Sequence, residues 1–130
     1  MKQKLIALVI IVLIGSACGN SVKEKSMSTD NLEQAVIVHF KYGIVGLDSL
    51  FKLEDILERL IADADVGVYD GHEIAVDYSD GFLYMYGPNA ETLFKTIKPT
   101  LEKTDFMKGA KAKLRFGPPE DGVKEIEFSI

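Results

Sequence analysis

The sequence predicts an α+β fold in which two helices lie on one face of an antiparallel sheet. Three observations predict it. Residues of two kinds alternate along Ala35–Gly43, Ala110–Phe116 and Ile126–Ile130, the period of a half-buried strand, and Phe82–Tyr86 is a short run of strand-favouring residues. Two intervening stretches instead repeat apolar residues every three or four positions, the period of a helix with one apolar stripe. Helical and extended stretches follow one another as β-α-β-β-α-β with one more strand at the end, an order that sets helices on one side of a sheet.

Taken in order, Val36, Val38, Phe40 and Tyr42 share one side of the first strand, and Ile37, His39 and Lys41 share the other. Leu50, Leu53, Leu57, Leu60, Ile61 and Ala64 form the stripe of the first helix, with Lys52, Glu54, Asp55, Glu58 and Arg59 between them. Asp48 or Ser49 is expected to cap its N-terminus. The stretch from Val66 to Tyr78 is extended but interrupted by Gly67 and Gly71, which predicts a short or bent strand. Ser79-Asp80-Gly81 reads as a turn. The strand Phe82–Tyr86 is rich in the aromatics that favour sheets. It stops at Gly87-Pro88-Asn89, where Asn89 can cap a second helix. Leu93, Phe94, Ile97 and Leu101 form that helix's stripe, and Pro99 is expected to cost it a backbone hydrogen bond and to kink it. Lys111, Lys113 and Arg115 alternate with Ala110, Ala112, Leu114 and Phe116. The turn Gly117-Pro118-Pro119-Glu120-Asp121-Gly122 then leads to Ile126, Phe128 and Ile130, which alternate with Glu125, Glu127 and Ser129. This is the ferredoxin-like split βαβ order with an extra C-terminal hairpin strand. Such a fold leaves one sheet face open unless something covers it.

The first 18 residues carry an address. Lys2 and Lys4 precede an apolar run from Leu5 to Ile14, and Gly15, Ser16 and Ala17 lead to Cys18. A basic start, a short apolar run and small residues before a break describe a secretory signal. The run is about half of the ~20 residues that span a bilayer. Ile14-Gly15-Ser16-Ala17-Cys18 resembles the bacterial lipoprotein signal, with Gly15 where a larger aliphatic residue is usual. The resemblance implies cleavage before Cys18 and acylation of its thiol, with membrane attachment firm once two or more chains are present. Cys18 is the only cysteine, so it has no disulfide partner within the chain. Asp does not follow it; Gly19 does, which favours the outer membrane where a cell has two. The expected organisation is a signal at 1–17, a lipidated Cys18 with a polar tether to residue 33, and one domain at 34–130.

Cleavage would remove Lys2 and Lys4 and no acid, lowering the 15 Lys and Arg to 13 against 20 Asp and Glu. The resulting charge of −7 on 113 residues disfavours phosphate backbones as general partners. The length suits one core, which holds without disulfides.

Tyr69-Asp70-Gly71-His72-Glu73-Ile74, Leu83-Tyr84-Met85-Tyr86-Gly87-Pro88, Leu93-Phe94 and Arg115-Phe116-Gly117-Pro118-Pro119 resemble a group of small bacterial proteins with no assigned activity. The resemblance covers most of the domain. It rests on turn and strand residues, implies the same fold, and brings no catalytic residue with it.

The densest polar cluster is Asp70, His72 and Glu73. On an extended chain Asp70 and His72 share a face and Glu73 points away. Two ligands on one strand are too few for a metal site, and solvated side chains around a Gly71 bulge account for the cluster more simply. Asp63, Asp65 and Asp70 do not form a calcium loop. A loop starting at Asp63 would need an oxygen ligand, Gly and Glu at positions five, six and twelve, where Gly67, Val68 and Ile74 stand. No nucleophile elbow, phosphate-binding glycine loop, metal site or cofactor motif is apparent, and no catalytic residue is assigned. On the sheet side away from the helices, His39 and Lys41 should lie beside Phe82, Tyr84 and Tyr86 and beside Lys111, Lys113 and Arg115. Some ferredoxin-like domains stack single-stranded RNA on such a face. Export and the negative charge exclude nucleic acid here, leaving a protein, peptide or glycan partner, or burial of the face in a homodimer. The expected function is a lipid-anchored envelope protein that binds through this face. The alternative is a small envelope hydrolase or isomerase using His72 with Asp70 or Glu73.

The address is testable directly. Cys18→Ser should abolish labelling by fatty-acid precursors and release the protein from membranes, and unchanged membrane retention would refute it.

Overall fold

A computed structural model describes residues 33–130; Cys18, the export signal and most of the expected tether lie outside the described residues. Strand β1 (Gln34–Lys41) leads to helix α1 (Asp48–Ala64), strands β2 (Val68–Ile74) and β3 (Asp80–Gly87), and helix α2 (Ala90–Glu102). A single 3₁₀ turn (Asp105–Met107) precedes β4 (Lys111–Arg115) and β5 (Glu125–Ser129). The five strands form one antiparallel sheet in the order β2-β3-β1-β4-β5. This is the ferredoxin-like α+β arrangement, with β5 added as an extra edge strand beyond β4.

The core lies between the sheet and the helices. Val36, Val38 and Phe40 of β1, Leu83 and Met85 of β3, and Ala112 and Leu114 of β4 point toward it. Leu50, Leu53, Leu57 and Ile61 of α1 meet them from above, together with Leu93, Phe94, Ile97 and Leu101 of α2. Among the described residues no polar or charged side chain is buried, so burial of apolar surface holds the two layers together. Among the same residues, no helix is long and apolar enough to cross a membrane.

The helix ends differ from expectation at one end and agree at another. The N-cap of α1 is Leu47, with no side-chain cap bond; Asp48 is already in the first turn, where its charge suits the helix dipole. At the other end of α1, Asp65 adopts the left-handed conformation and the N–H groups of Asp65 and Val66 return to the carbonyls of Ala62 and Ile61, which closes the helix. Asn89 caps α2 as expected: its side-chain oxygen accepts from Thr92 N at 3.0 Å. The Gln34 side chain accepts a second end-group donor, Ala90 N, at 2.9 Å. Helix α2 runs through Pro99 to Glu102.

The β2–β3 turn lies earlier than Ser79-Asp80-Gly81. Ala75 and Asp80 are bonded across it, and Asp80 and Gly81 already belong to β3. The chain reverses at Asp77 and Tyr78 because the Asp77 carboxylate accepts from Ser79 N at 3.0 Å and Tyr78 takes φ +61°. An Asp that bonds the backbone two residues ahead is a turn device in its own right. Farther along the hairpin, Gly67 lets β2 begin close against β3; a Cβ there would stand 2.2 Å from the carbonyl oxygen of Tyr86.

Leu83 is fully buried in the core, whereas Val76 at the hairpin tip is fully exposed. Leu83→Ala should therefore cost about 2–5 kcal/mol in denaturant unfolding, and Val76→Ala should change stability by no more than about 0.5 kcal/mol. Similar costs at the two sites would contradict this placement of the core.

Candidate functional site

With alternate residues of β1, β3 and β4 sunk into the core, the remaining ones must share the opposite face. Pairing aligns them in rows. Glu73, Phe82, His39, Lys111 and Ser129 lie side by side across the five strands. The next row holds Gly71, Tyr84, Ile37, Lys113 and Glu127, and the third holds Val68, Tyr86, Ala35, Arg115 and Glu125. Lys41 follows His39 on the same face, in register with Asp80. The structure thus brings together the eight residues His39, Lys41, Phe82, Tyr84, Tyr86, Lys111, Lys113 and Arg115.

The face is striped rather than basic. Its cations on β4 border acids on β5: Lys113 Nζ lies 3.5 Å from a Glu125 carboxylate oxygen, and Lys111 Nζ donates to Ser129 Oγ at 2.7 Å. Arg115 Nε donates to the Gly117 carbonyl at 2.8 Å. On the other flank, His39 Nε2 is 2.8 Å from Asp80 Oδ2. Both partners of that pair are nearly half exposed, so it adds little stability. Glu125 and Glu127 join the face in addition to the residues expected there. Their alternation with Ile126 and Phe128 was visible, but which side it faced depends on the β4–β5 register.

The aromatic stripe is arranged as a wall. The rings of His39 and Phe82 are nearly parallel with centroids only 4.6 Å apart, and Phe82 and Tyr84 are again nearly parallel at 6.2 Å. Phe82 thus has the His39 ring stacked against it and Tyr84 nearly parallel next along the strand. Stacking of a base needs an open ring face, and His39 occupies one side of Phe82. Opposite Tyr84 stands Gly71, with open space where a side chain would be. Burial raises the Tyr84 phenol above its ordinary pKa, and the charge and hydrogen bond of Glu73 push it the same way. Two shallow depressions of about 210 Å³ flank Phe82. Ile37, His39, Lys111, Lys113 and Glu127 line one of them. Glu73, Ile74, Ala75, Asp80 and Gly81 line the other.

Asp70, His72 and Glu73 do not converge. A bulge between Tyr69 and Gly71 shifts the register of β2, so that Tyr69 and His72 both lie on the helix side while Glu73 faces the open side. His72 meets a carboxylate there, but it is Glu54 of α1: Nδ1 lies 2.5 Å from Glu54 Oε1, to which the Tyr69 hydroxyl also donates at 2.6 Å. A carboxylate accepts only, so His72 Nδ1 is the donor in this contact. The His72 ring also lies against Phe51, with centroids 6.0 Å apart. In the sequence Glu54 stands with Lys52, Asp55, Glu58 and Arg59 between the apolar positions of α1. The available signal was its position seven residues before Ile61, on the edge of the apolar stripe. The trio fastens α1 to the edge of the sheet. Among the described residues no group of three or more His, Cys, Asp and Glu could hold a metal ion.

No family model matches the chain, and no curated protein and no solved structure matches it either.

Burial raises the Tyr69 phenol well above its ordinary pKa, reinforced by the bond to Glu54 and by the charges of Glu54, Glu58 and Asp70. In the unfolded chain a tyrosine ionises near pH 10. The contribution of Tyr69 to stability is therefore complete below about pH 10 and is lost as pH rises toward its folded-state value. Ultraviolet titration of the wild type minus Tyr69→Phe should show no phenolate near pH 10 while the far-ultraviolet circular dichroism is native. A difference that titrates near pH 10 in folded protein would refute the Tyr69–Glu54 contact.

Proposed function

We propose that the chain is a lipid-anchored cell-envelope protein whose ferredoxin-like domain binds a protein partner through the open face of its sheet. The observation that carries this reading is the stripe of Phe82, Tyr84 and Tyr86 with Ile37 beside it, on a face that no helix among the described residues covers. Phe82, Tyr84, Tyr86 and Ile37 are each half-buried by their neighbours on this face; a contiguous aromatic stripe in partial contact with water suits an interaction surface, and tyrosines serve well as anchors there. The lateral alternation of acids, aromatics, cations and acids suits a surface carrying both signs of charge. It does not suit a polyanion. With one face of Phe82 taken by the His39 ring, the stripe favours a partner that packs against it over a sugar or base that stacks. The anchor itself rests on Ile14 to Cys18, with the outer membrane as its site where two membranes exist.

A second reading rests on the Glu54–His72 pair, an imidazole oriented by a carboxylate as an acid–base catalyst requires. It makes the chain a small envelope hydrolase or isomerase. It is the weaker reading because the depressions around Phe82 are lined by other residues. It predicts ester hydrolysis that depends on His72 and survives His39→Ala.

A photo-crosslinking residue placed at Tyr84 of the full chain, in the intact envelope, should yield a discrete protein adduct that Tyr86→Ala diminishes. The same residue placed at Val45, which is 90% exposed on the β1–α1 loop, should not. Equal adducts from both positions, or none from Tyr84, would sink the binding reading.

A further inference from the structure

The two edges of the sheet are not alike. At β2 the edge is blunted by the Tyr69/Gly71 register shift, one of the devices that keep an edge from pairing with a foreign strand. At β5 the edge has neither bulge nor proline nor lysine: Glu125-Ile126-Glu127-Phe128-Ser129 is regular along its whole length against β4. Lys124 and Ile130, on either side of this strand, bond inward to Phe116 and Ala110. By the alternation of an antiparallel ladder, the N–H and C=O groups of Glu125, Glu127 and Ser129 point outward, away from β4.

Next to this edge, on the helix side, lies an apolar groove of about 190 Å³ between α2 and β4–β5, lined by Glu91, Phe94, Lys95, Lys98, Leu114 and Phe128. Phe128 stacks on Phe94 with centroids 5.3 Å apart and is still 42% exposed. On the other side of the same strand stand Glu125 and Glu127, both exposed. An added strand would therefore set alternate side chains against an apolar groove and against two carboxylates.

We infer that β5 is an acceptor edge for an extended segment of another protein in which Lys or Arg alternates with apolar residues. The chain contains a working example of such a complement. Strand β4, Lys-Ala-Lys-Leu-Arg, pairs with the inner edge of β5, with Lys113 in register with Glu127, Arg115 with Glu125, and Ala112 and Leu114 with Phe128 and Ile126; the ion pair runs diagonally, from Lys113 to Glu125. The outer edge presents the same side chains to whatever lies beyond it. A second copy of β5 is a poor occupant, because antiparallel self-pairing about a two-fold axis would bring the Glu125 and Glu127 carboxylates of the two strands together, and like charges across a pair are destabilising. Strand addition draws affinity from the main chain and specificity from alternate side chains.

The probe is a fluorescent synthetic peptide of alternating lysine and valine, titrated into the full chain. Saturable binding is expected, weakened by salt. Glu127→Lys should weaken it about tenfold, the scale set by one reversed charge pair. Glu127→Pro removes an outward donor without touching the β4 ladder and should weaken binding at least as much, with unchanged circular dichroism showing that the fold survives. A peptide methylated on alternate backbone nitrogens should lose binding in one of its two phases only. Tyr84→Ala should leave binding intact, which separates this edge from the open face. The inference is overturned if a scrambled peptide of the same composition binds equally, if Glu127→Lys has no effect, if Tyr84→Ala abolishes binding, or if the protein pairs with itself through β5 instead.

Discussion

The register of β1 against β3 and β4 governs the molecule. Val36, Val38, Phe40, Leu83, Met85, Ala112 and Leu114 must all reach the layer beneath α1 and α2. Because a strand has a side-chain period of two, this requirement also decides which residues are refused entry to the core. A slip of one residue in any of these strands would bury charge and expose leucine, so the pairing is strongly specified. The rows on the open face are a consequence. Phe82 stands beside His39, and Tyr84 beside Ile37, because their neighbours along each strand are committed to the other side.

Strand β2 obeys this rule with one exception, and the exception produces the polar trio. The extra residue at Asp70 changes the phase of the strand, so Tyr69 and His72, three positions apart, turn to the same side. They meet Glu54 there at the margin of the core, where neither is fully buried. A carboxylate with two donors loses less on partial desolvation than an unpaired one would. The contact joins helix and sheet at a point where apolar packing has run out.

Period and composition made most of this fold legible. The alternation in Ala110–Phe116 and the stripe from Leu50 to Ile61 each admit one reading, and their order limits the topology. The cap of α1 was not legible, since Leu47 has no capping group and Asp48 takes a different role. Nor was the turn before β3, where the backbone bond of Asp77 outweighs the glycine at position 81. The aromatic and basic stripes could be placed on one face from alternation within single strands. The acids of β5 and the Glu54–His72 contact could not, because one depends on the register of a hairpin and the other on a meeting of residues 18 apart.

The unlike edges of the sheet give the molecule a polarity. Strand addition between identical subunits, edge to opposite edge, is a heterologous contact, and such contacts propagate without limit unless the rotation closes them. Here the outer edge of β2 is bent out of register at Tyr69–Gly71, so it offers no regular ladder to the β5 of a neighbour. A sheet built this way ends a chain of additions: it can take up a strand but cannot hand on its other side for the next.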